Sequence, residues 1–257
     1  MNFKELEKSW NYLGDRDPLW AILTDPEKKT QKWRADKFFG TGVAEIGSLM
    51  RYVSSVGANI PRKRALDFGC GVGRLTQALA DHFDEVWGVD IAASMIKSAN
   101  EYNRHGNRCH YHLNQTPDLT AFPDDSFDLV CSFITLQHIE PQYSSNYLRE
   151  FIRILAPHGL LIFQLPSELS PEMEAPTKFQ RIKEIIKGIT PRVLLNLYRH
   201  IRNDLGMLIE MHAIQKDNVV KLLEENGGRI IDISEDQRAG KGWISLQYCA
   251  TKASTFG

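Results

Sequence analysis

The sequence predicts an α/β fold in which helices cover both faces of a doubly wound, mostly parallel sheet. Three observations support this prediction. Strand-like and helix-like segments alternate from residue 64 onward, a glycine-rich turn follows the first strand, and the second strand ends in an acid. Alternation of this kind places successive strands side by side and parallel, because each helix returns the chain to the same edge.

Residues 1–60 are predicted to form a helical cap outside the sheet. The stretch Thr24-Asp25-Pro26-Glu27 has the pattern of a helix start, with an acid that can cap and a proline at the first helical position. Gly40 and Gly42 are then expected to break the helical pattern, and a second helix is expected over 41–53. The segment before residue 24 is less periodic, which is typical of a mobile terminus.

The alternating region begins after this cap. Its helices are expected to carry apolar residues on one face, as Leu75, Leu79 and Phe83 do in the first of them. The predicted elements are strands at 65–68, 85–90, 109–113, 127–133 and 159–165 and helices at 75–82, 92–103 and 144–154.

Residues 166–212 interrupt the alternation and are predicted to be a helical insertion after the fifth strand. Four prolines punctuate the segment, and two amphipathic helices are expected at 177–188 and 191–205. Their basic residues would suit a lid over an anionic or lipid-linked ligand, although a basic helical face is more often simply solvated. A helix at 215–226 and strands at 229–234 and 244–251 follow.

The turn after the first strand, Asp67-Phe68-Gly69-Cys70-Gly71-Val72-Gly73-Arg74, predicts a ligand site. Glycines let the backbone turn tightly and approach a ligand closely, and the helix that follows presents free backbone N–H groups. Asp90 ends the second strand, where an acid can accept hydrogen bonds from both hydroxyls of a ribose. Together these features indicate a nucleoside cofactor at the carboxyl ends of two adjacent strands.

Two details point away from a dinucleotide. Arg74 occupies the position where the dinucleotide fingerprint has its third glycine, and Asp67 would repel a pyrophosphate but could bind an ammonium group. The stretch instead resembles motif I of the class I S-adenosylmethionine-dependent methyltransferases, with Asp90 matching the ribose acid of that family. The resemblance covers residues 60–166 firmly and 212–251 loosely, and it implies a Rossmann-like sheet of seven strands.

The resemblance also implies which residues bind S-adenosyl-L-methionine. Gly69, Cys70 and Gly71 would approach its amino-acid end, and Asp67 would hold its ammonium group. Asp90 would bind the ribose. The remaining contacts are expected from Ile91 and Met95 on either side of the adenine, from Asn114 or Gln115 at its edge, and from Phe133 beside the methionine portion. The alternative is that both amides simply cap their loop.

His138 is the candidate catalytic residue. It lies in a Leu-x-His turn after the fourth strand, which in the resembled family borders the transferred methyl group. An imidazole can accept the proton that an oxygen or nitrogen acceptor loses during methylation. A histidine here could equally hydrogen-bond the backbone and fix the loop.

Composition narrows the classes of function that remain. A formal charge of −1 gives no general attraction for nucleic acid or acidic membranes. The four cysteines are widely spaced, and the N-terminus lacks the apolar core of a signal peptide, so a reducing cytoplasm is expected. No run is long enough to span a bilayer. Among His105, Cys109, His110 and His112, the two residues His110 and His112 would share one face of the third strand, but Cys109 would face the other way. No second ligand cluster is evident, so no metal is expected.

The predicted function is therefore methyl transfer from S-adenosyl-L-methionine to oxygen or nitrogen of a small-molecule, lipid-linked or glycan-type acceptor. The alternatives are a non-catalytic module that only binds the cofactor and, more remotely, an NAD-dependent oxidoreductase. The sequence gives neither the acceptor nor the oligomeric state.

Overall fold

A computed structural model describes residues 2–171 and 210–253 and contains one seven-stranded sheet with the order β3-β2-β1-β4-β5-β7-β6. The first five strands are parallel where they pair, and β7 runs antiparallel to both β5 and β6. The strands are β1 (Arg64–Phe68), β2 (Glu85–Asp90), β3 (Cys109–Leu113), β4 (Phe127–Ser132), β5 (Leu155–Leu169), β6 (Gly228–Asp236) and β7 (Trp243–Lys252). The predicted mostly parallel, seven-stranded α/β fold is confirmed.

The helices of the described ranges cover both faces of this sheet. They are α1 (Phe3–Arg16), α2 (Pro18–Ile22), α3 (Ala35–Ser55), α4 (Arg74–Leu79), α5 (Ala93–Tyr102), α6 (Pro141–Ile154) and α7 (Lys216–Glu225). None of them combines the length and the hydropathy that a helix needs to span a bilayer. The predicted helices at 177–188 and 191–205 lie outside the described residues, so the insertion stays a prediction, as does the division between residues 1–60 and 61–257.

The N-terminal region differs from the prediction in three respects. The residues before position 24 form α1 and α2, and α1 begins with a capping box in which Asn2 and Glu5 exchange hydrogen bonds. The proline start at Pro26 leads only into a three-residue 3-10 helix. Gly40 and Gly42 do not break a helix but lie inside α3. Gly42 is needed there for close packing of α3 on α4, because a methyl group at this position would lie 2.3 Å from the Arg74 carbonyl oxygen.

Two hydrophobic clusters hold the layers together on opposite faces of the sheet. Val130 of β4 belongs to the cluster under α6 and α7, and its neighbours Leu129 and Cys131 belong to the cluster under α3 and α4. Adjacent side chains of a strand point to opposite faces, so this alternation assigns one cluster to each side. The carboxyl ends of β1, β2 and β4 lie together at one edge, which is where the cavity forms.

Candidate functional site

A cavity of about 460 Å³ opens at the carboxyl ends of β1, β2 and β4, within the range of volumes that small-molecule sites occupy. The glycine-rich turn forms one wall and the residues after β4 form another. Helix α1 contributes Phe3, Leu6 and Trp10, and the turn between β6 and β7 contributes Arg238, Ala239 and Gly240. Every residue predicted to bind the cofactor lines this cavity except Gln115.

The backbone of the glycine-rich turn is held by the neighbouring strand. The N–H groups of Gly69 and Cys70 both donate to the carbonyl oxygen of Val89, at 2.7 and 3.0 Å. The N–H of Gly71 donates to Oδ2 of Asp90 at 2.9 Å. These three amides are thus satisfied within the protein, so what the turn offers a ligand is close approach.

The glycines of this turn are required by their own neighbours. Gly69 and Gly71 have positive φ angles of 78° and 52°, which side-chain-bearing residues rarely adopt. A methyl group at Gly69 would lie 2.1 Å from Oγ1 of Thr135, and one at Gly71 would lie 2.5 Å from Cδ1 of Ile22. The turn therefore packs against the segment after β4 on one side and the end of α2 on the other.

Asp90 lines the cavity, and its carboxylate is fixed by two backbone amides. Oδ1 accepts from the N–H of Ala92 and Oδ2 from the N–H of Gly71, both at 2.9 Å. Each carboxylate oxygen can accept more than one hydrogen bond, so both keep acceptor capacity toward the cavity. Burial raises the pKa of this carboxyl above its usual range, while the backbone hydrogen bonds act in the opposite direction.

Asp67 is buried deeper on the same side. Its Oδ2 accepts a hydrogen bond of 2.7 Å from the hydroxyl of Thr76 on α4. Burial raises the pKa of Asp67 to about 6, partly offset by that hydrogen bond and by the positive charge of Arg74. A cation placed beside this carboxylate would favour its ionised form. Cys70 is buried too, and burial raises the pKa of its thiol well above the usual range, which disfavours the nucleophilic thiolate.

The two candidate amides after β3 are placed differently. Asn114 is buried and lines the cavity, but its Nδ2 donates to the carbonyl oxygens of Thr116 and Asp118 at 2.9 and 3.0 Å. Gln115 is exposed and donates to the carboxylate of Glu7 on α1 at 2.7 Å. Of the two, only Asn114 reaches the cavity, and its side chain also caps the loop. Ile91, Met95 and Phe133 also line the cavity.

His138 lines the cavity with both ring nitrogens in hydrogen-bonding contact with the protein. Nδ1 lies 3.1 Å from the carbonyl oxygen of Glu210, and Nε2 lies 3.2 Å from Nε2 of Gln137. Burial lowers the pKa of His138 to about 4, so the ring is neutral at neutral pH. The Trp10 ring packs against it in a T-shaped arrangement at 5.6 Å between centroids.

Sequence reasoning missed the charged wall of the cavity. Glu45 of α3 accepts from Nη1 of Arg74 at 2.8 Å and from Nε of Arg238 at 3.1 Å. The guanidinium of Arg238 lies 4.4 Å above the ring of Phe133. Glu45, Arg74, Phe133 and Arg238 come from four separate parts of the chain, so no local pattern could have brought them together. Within the described ranges, no cluster of three or more His, Cys, Asp or Glu side chains is arranged to hold a metal ion.

Comparison with known proteins shows that the chain is similar to methyltransferases. Residues 66–163 match a family model described as a methyltransferase domain. The chain is 31% identical over 135 residues to phosphoethanolamine N-methyltransferase 1 from Arabidopsis thaliana, covering 50% of this chain and 26% of that protein. It is 30% identical over 103 residues to the ubiquinone biosynthesis O-methyltransferase from Xanthomonas campestris, covering 40% of this chain and 42% of that protein. The chain thus spans well under two thirds of these curated relatives.

Solved structures show the same fold. Magnesium protoporphyrin IX methyltransferase from Synechocystis PCC 6803, crystallised with bound SAH, superimposes with a TM-score of 0.62 at 19% identity, covering 98% of this chain and 100% of that chain. A SAM-dependent methyltransferase from Leishmania major superimposes with a TM-score of 0.61 at 13% identity, covering 97% and 82%. At these identities the likeness concerns the fold.

Proposed function

We propose that the protein, which belongs to the class I S-adenosylmethionine-dependent methyltransferases, binds S-adenosylmethionine in this cavity and transfers its methyl group to an oxygen or nitrogen atom. The observation that carries the proposal is the fixed carboxylate of Asp90 beside the glycine-rich turn. Crystal structures of a protein with a similar fold, magnesium protoporphyrin IX methyltransferase, contain bound SAH or SAM and support the choice of cofactor.

The residues around the cavity fit this cofactor. Asp90 has acceptor capacity for two adjacent hydroxyl groups, and a ribose offers such a pair of donors. Ile91 and Met95 provide apolar surfaces for a flat base, with Asn114 at its edge. Asp67, together with the turn at Gly69–Gly71, would receive the amino-acid end, where its carboxylate suits an ammonium group.

S-adenosylmethionine carries its methyl group on a positively charged sulfur, which is already an activated leaving group. The protein's contribution is therefore mainly to hold the acceptor in line with that methyl group, and such positioning supplies much of the acceleration in reactions of this kind. Phe133 lines the cavity beside the proposed methionine portion and would help to exclude water there.

His138 is the proposed base. An oxygen or nitrogen acceptor must lose a proton, and a neutral imidazole can accept it. In the described structure Nε2 is in contact with the amide of Gln137, so an acceptor hydroxyl or amine would have to replace that contact. The low pKa of His138 makes it a weak base until a bound acceptor changes its surroundings.

We propose a small-molecule, lipid-linked or glycan-type acceptor. The names of the relatives include an N-methyltransferase of phosphoethanolamine and an O-methyltransferase of ubiquinone biosynthesis, which supports both atom types. A protein amine is the second candidate, because another relative is the eEF1A lysine and N-terminal methyltransferase of Bos taurus, 27% identical over 158 residues.

Isothermal titration calorimetry with S-adenosylhomocysteine tests the cofactor assignment. Asp90→Ala should weaken binding by about 100-fold or more, because two hydrogen bonds to a charged acceptor contribute roughly 3 kcal/mol. Asp84→Ala is the matched control, since Asp84 is exposed just before β2, and its affinity should equal that of the wild type. Unchanged affinity in Asp90→Ala, with a normal melting temperature, would refute the ribose assignment.

A further inference from the structure

We propose that Gln164 and Gln137 are positioning residues that fix the tautomer of His138, with the proton on Nδ1 and the lone pair on Nε2. Any proton taken up from an acceptor would then arrive at Nε2. This catalytic consequence rests on the proposed methyl transfer, but the tautomer itself is a property of the protein alone.

The direction of the hydrogen-bond chain is set at its start by a backbone amide. The N–H of Ile134 can only donate, and it lies 3.0 Å from Oε1 of Gln164 on β5. Gln164 must therefore turn its Nε2 the other way, where it donates to Oε1 of Gln137 at 3.1 Å and to Oγ of Ser245 on β7 at 2.6 Å. Gln164 is fully buried, so water cannot relax this constraint.

The same logic carries the direction to the imidazole. Because Oε1 of Gln137 accepts from Gln164, its Nε2 is the group that faces His138, at 3.2 Å. An amide nitrogen donates and does not accept, so Nε2 of His138 must accept and carries no proton.

The contact of Nδ1, on the opposite side of the ring, independently indicates the same tautomer. Nδ1 of His138 lies 3.1 Å from the carbonyl oxygen of Glu210, which can only accept. Nδ1 must therefore carry the proton. The other neutral tautomer would oppose two donors at Nε2 and two acceptors at Nδ1, so both contacts would be lost together.

The imidazolium form of His138 is disfavoured at Nε2, because there too a second donor would face the amide of Gln137. A proton on Nε2 would face the amide N–H of Gln137, and rotating that amide would only move the mismatch to Gln164 or Ile134. Burial already disfavours the charged ring, and a positive charge on His212 would act in the same sense. The Trp10 ring, which packs against the imidazole at 5.6 Å between centroids, adds no charge.

Long-range ¹H–¹⁵N correlation NMR on histidine-labelled protein measures the tautomer directly. His138→Asn identifies the His138 signals by their disappearance. The wild-type protein, without cofactor, should show a protonated Nδ1 and a bare Nε2 from pH 5 to pH 8. A protonated Nε2 at neutral pH would overturn the proposal.

A second experiment reverses the direction of the hydrogen-bond chain that leads to His138. In Gln164→Glu the ionised side chain still accepts from Ile134 but cannot donate, so Gln137 should rotate and present its oxygen to His138. Nε2 should then become protonated, and the pKa of His138 should rise by at least one unit. The infrared band of the introduced carboxyl group shows whether it is ionised. Should Gln164→Glu fail to fold or keep that carboxyl protonated, Gln137→Met carries the test, because removal of the opposing N–H should also raise that pKa.

Ser245→Ala is the matched control. It removes the other hydrogen bond of Gln164 but leaves the direction of the chain intact, so the tautomer and pKa of His138 should not change. An equal shift in Ser245→Ala, or no shift in the folded Gln137→Met protein or in folded Gln164→Glu with an ionised carboxyl, would contradict the positioning role. Calorimetry with S-adenosylhomocysteine on the same samples distinguishes this result from a failure of the proposed function.

Discussion

At the scale of single residues, the glycine-rich turn is constrained twice, by the space that a ligand needs and by side chains that already fill the space around it. Thr135 and Ile22 each lie where a methyl group on Gly69 or Gly71 would stand. The positive φ angles add a backbone penalty for any other residue. Substitutions in this turn should therefore affect stability before any ligand is added.

Gly69→Ala should destabilise the protein by at least about 2 kcal/mol in urea denaturation, since it combines a positive φ angle with a contact of 2.1 Å to Thr135. Gly40→Ala is the matched control. Gly40 lies in the exposed part of α3 with nothing within 4 Å of the added methyl group. This control should raise the free energy of unfolding by about 0.5–1 kcal/mol. Equal effects in the two variants would contradict the packing argument.

The residues that sequence patterns could assign are those whose role depends on local spacing. Asp67 lies just before the glycine-rich turn, Asp90 ends β2, and both line the cavity. Asn114 and Gln115 could not be separated, because they are adjacent amides and only the three-dimensional course of the loop turns one inward. Arg238 had no local signal, since its partner Glu45 is 193 residues away in the chain.

At the scale of elements, α3 is more than a cover for one face of the sheet. Through Glu45 it joins the start of α4 at Arg74 to the turn between β6 and β7 at Arg238. Arg74 is almost completely buried, so its charge depends on this partner. The cavity wall thus relies on a helix that precedes the sheet in the chain.

Glu45→Gln should lower the free energy of unfolding by roughly 2–3 kcal/mol, because it leaves a buried guanidinium without its counter-charge. The matched control is Glu101→Gln on α5, whose partner Lys97 is exposed and lies at 4.0 Å. That change should cost less than about 0.5 kcal/mol. The prediction fails if both variants unfold at the same urea concentration as the wild type.

Elements were predictable where apolar periodicity and packing agree, as in the strands that end at Asp90 and Leu113. The N-terminal helices were not, because their borders depend on tertiary contacts. Gly42 is tolerated within α3 since it allows close approach to Arg74, and α1 is fixed on α5 by hydrogen bonds of 3.0 Å between Asn11 and Ser94. Propensity alone gives neither contact.

At the scale of the whole molecule, the cavity is assembled from segments spread along the chain. The parallel strands bring the turn at Gly69, the acid at Asp90 and the histidine at His138 to one edge of the sheet. Helix α1 and the turn between β6 and β7 then close the space around them. The topology therefore explains why the candidate site forms at this edge.

A crystal structure of the protein grown with excess S-adenosylhomocysteine tests the central claim most directly. The ligand should occupy the cavity with both ribose hydroxyl oxygens within about 3.2 Å of the Asp90 carboxylate. Its adenine should lie between Ile91 and Met95. A ligand bound elsewhere, or a cavity that stays without ligand at saturating concentration, would contradict the assignment of this site.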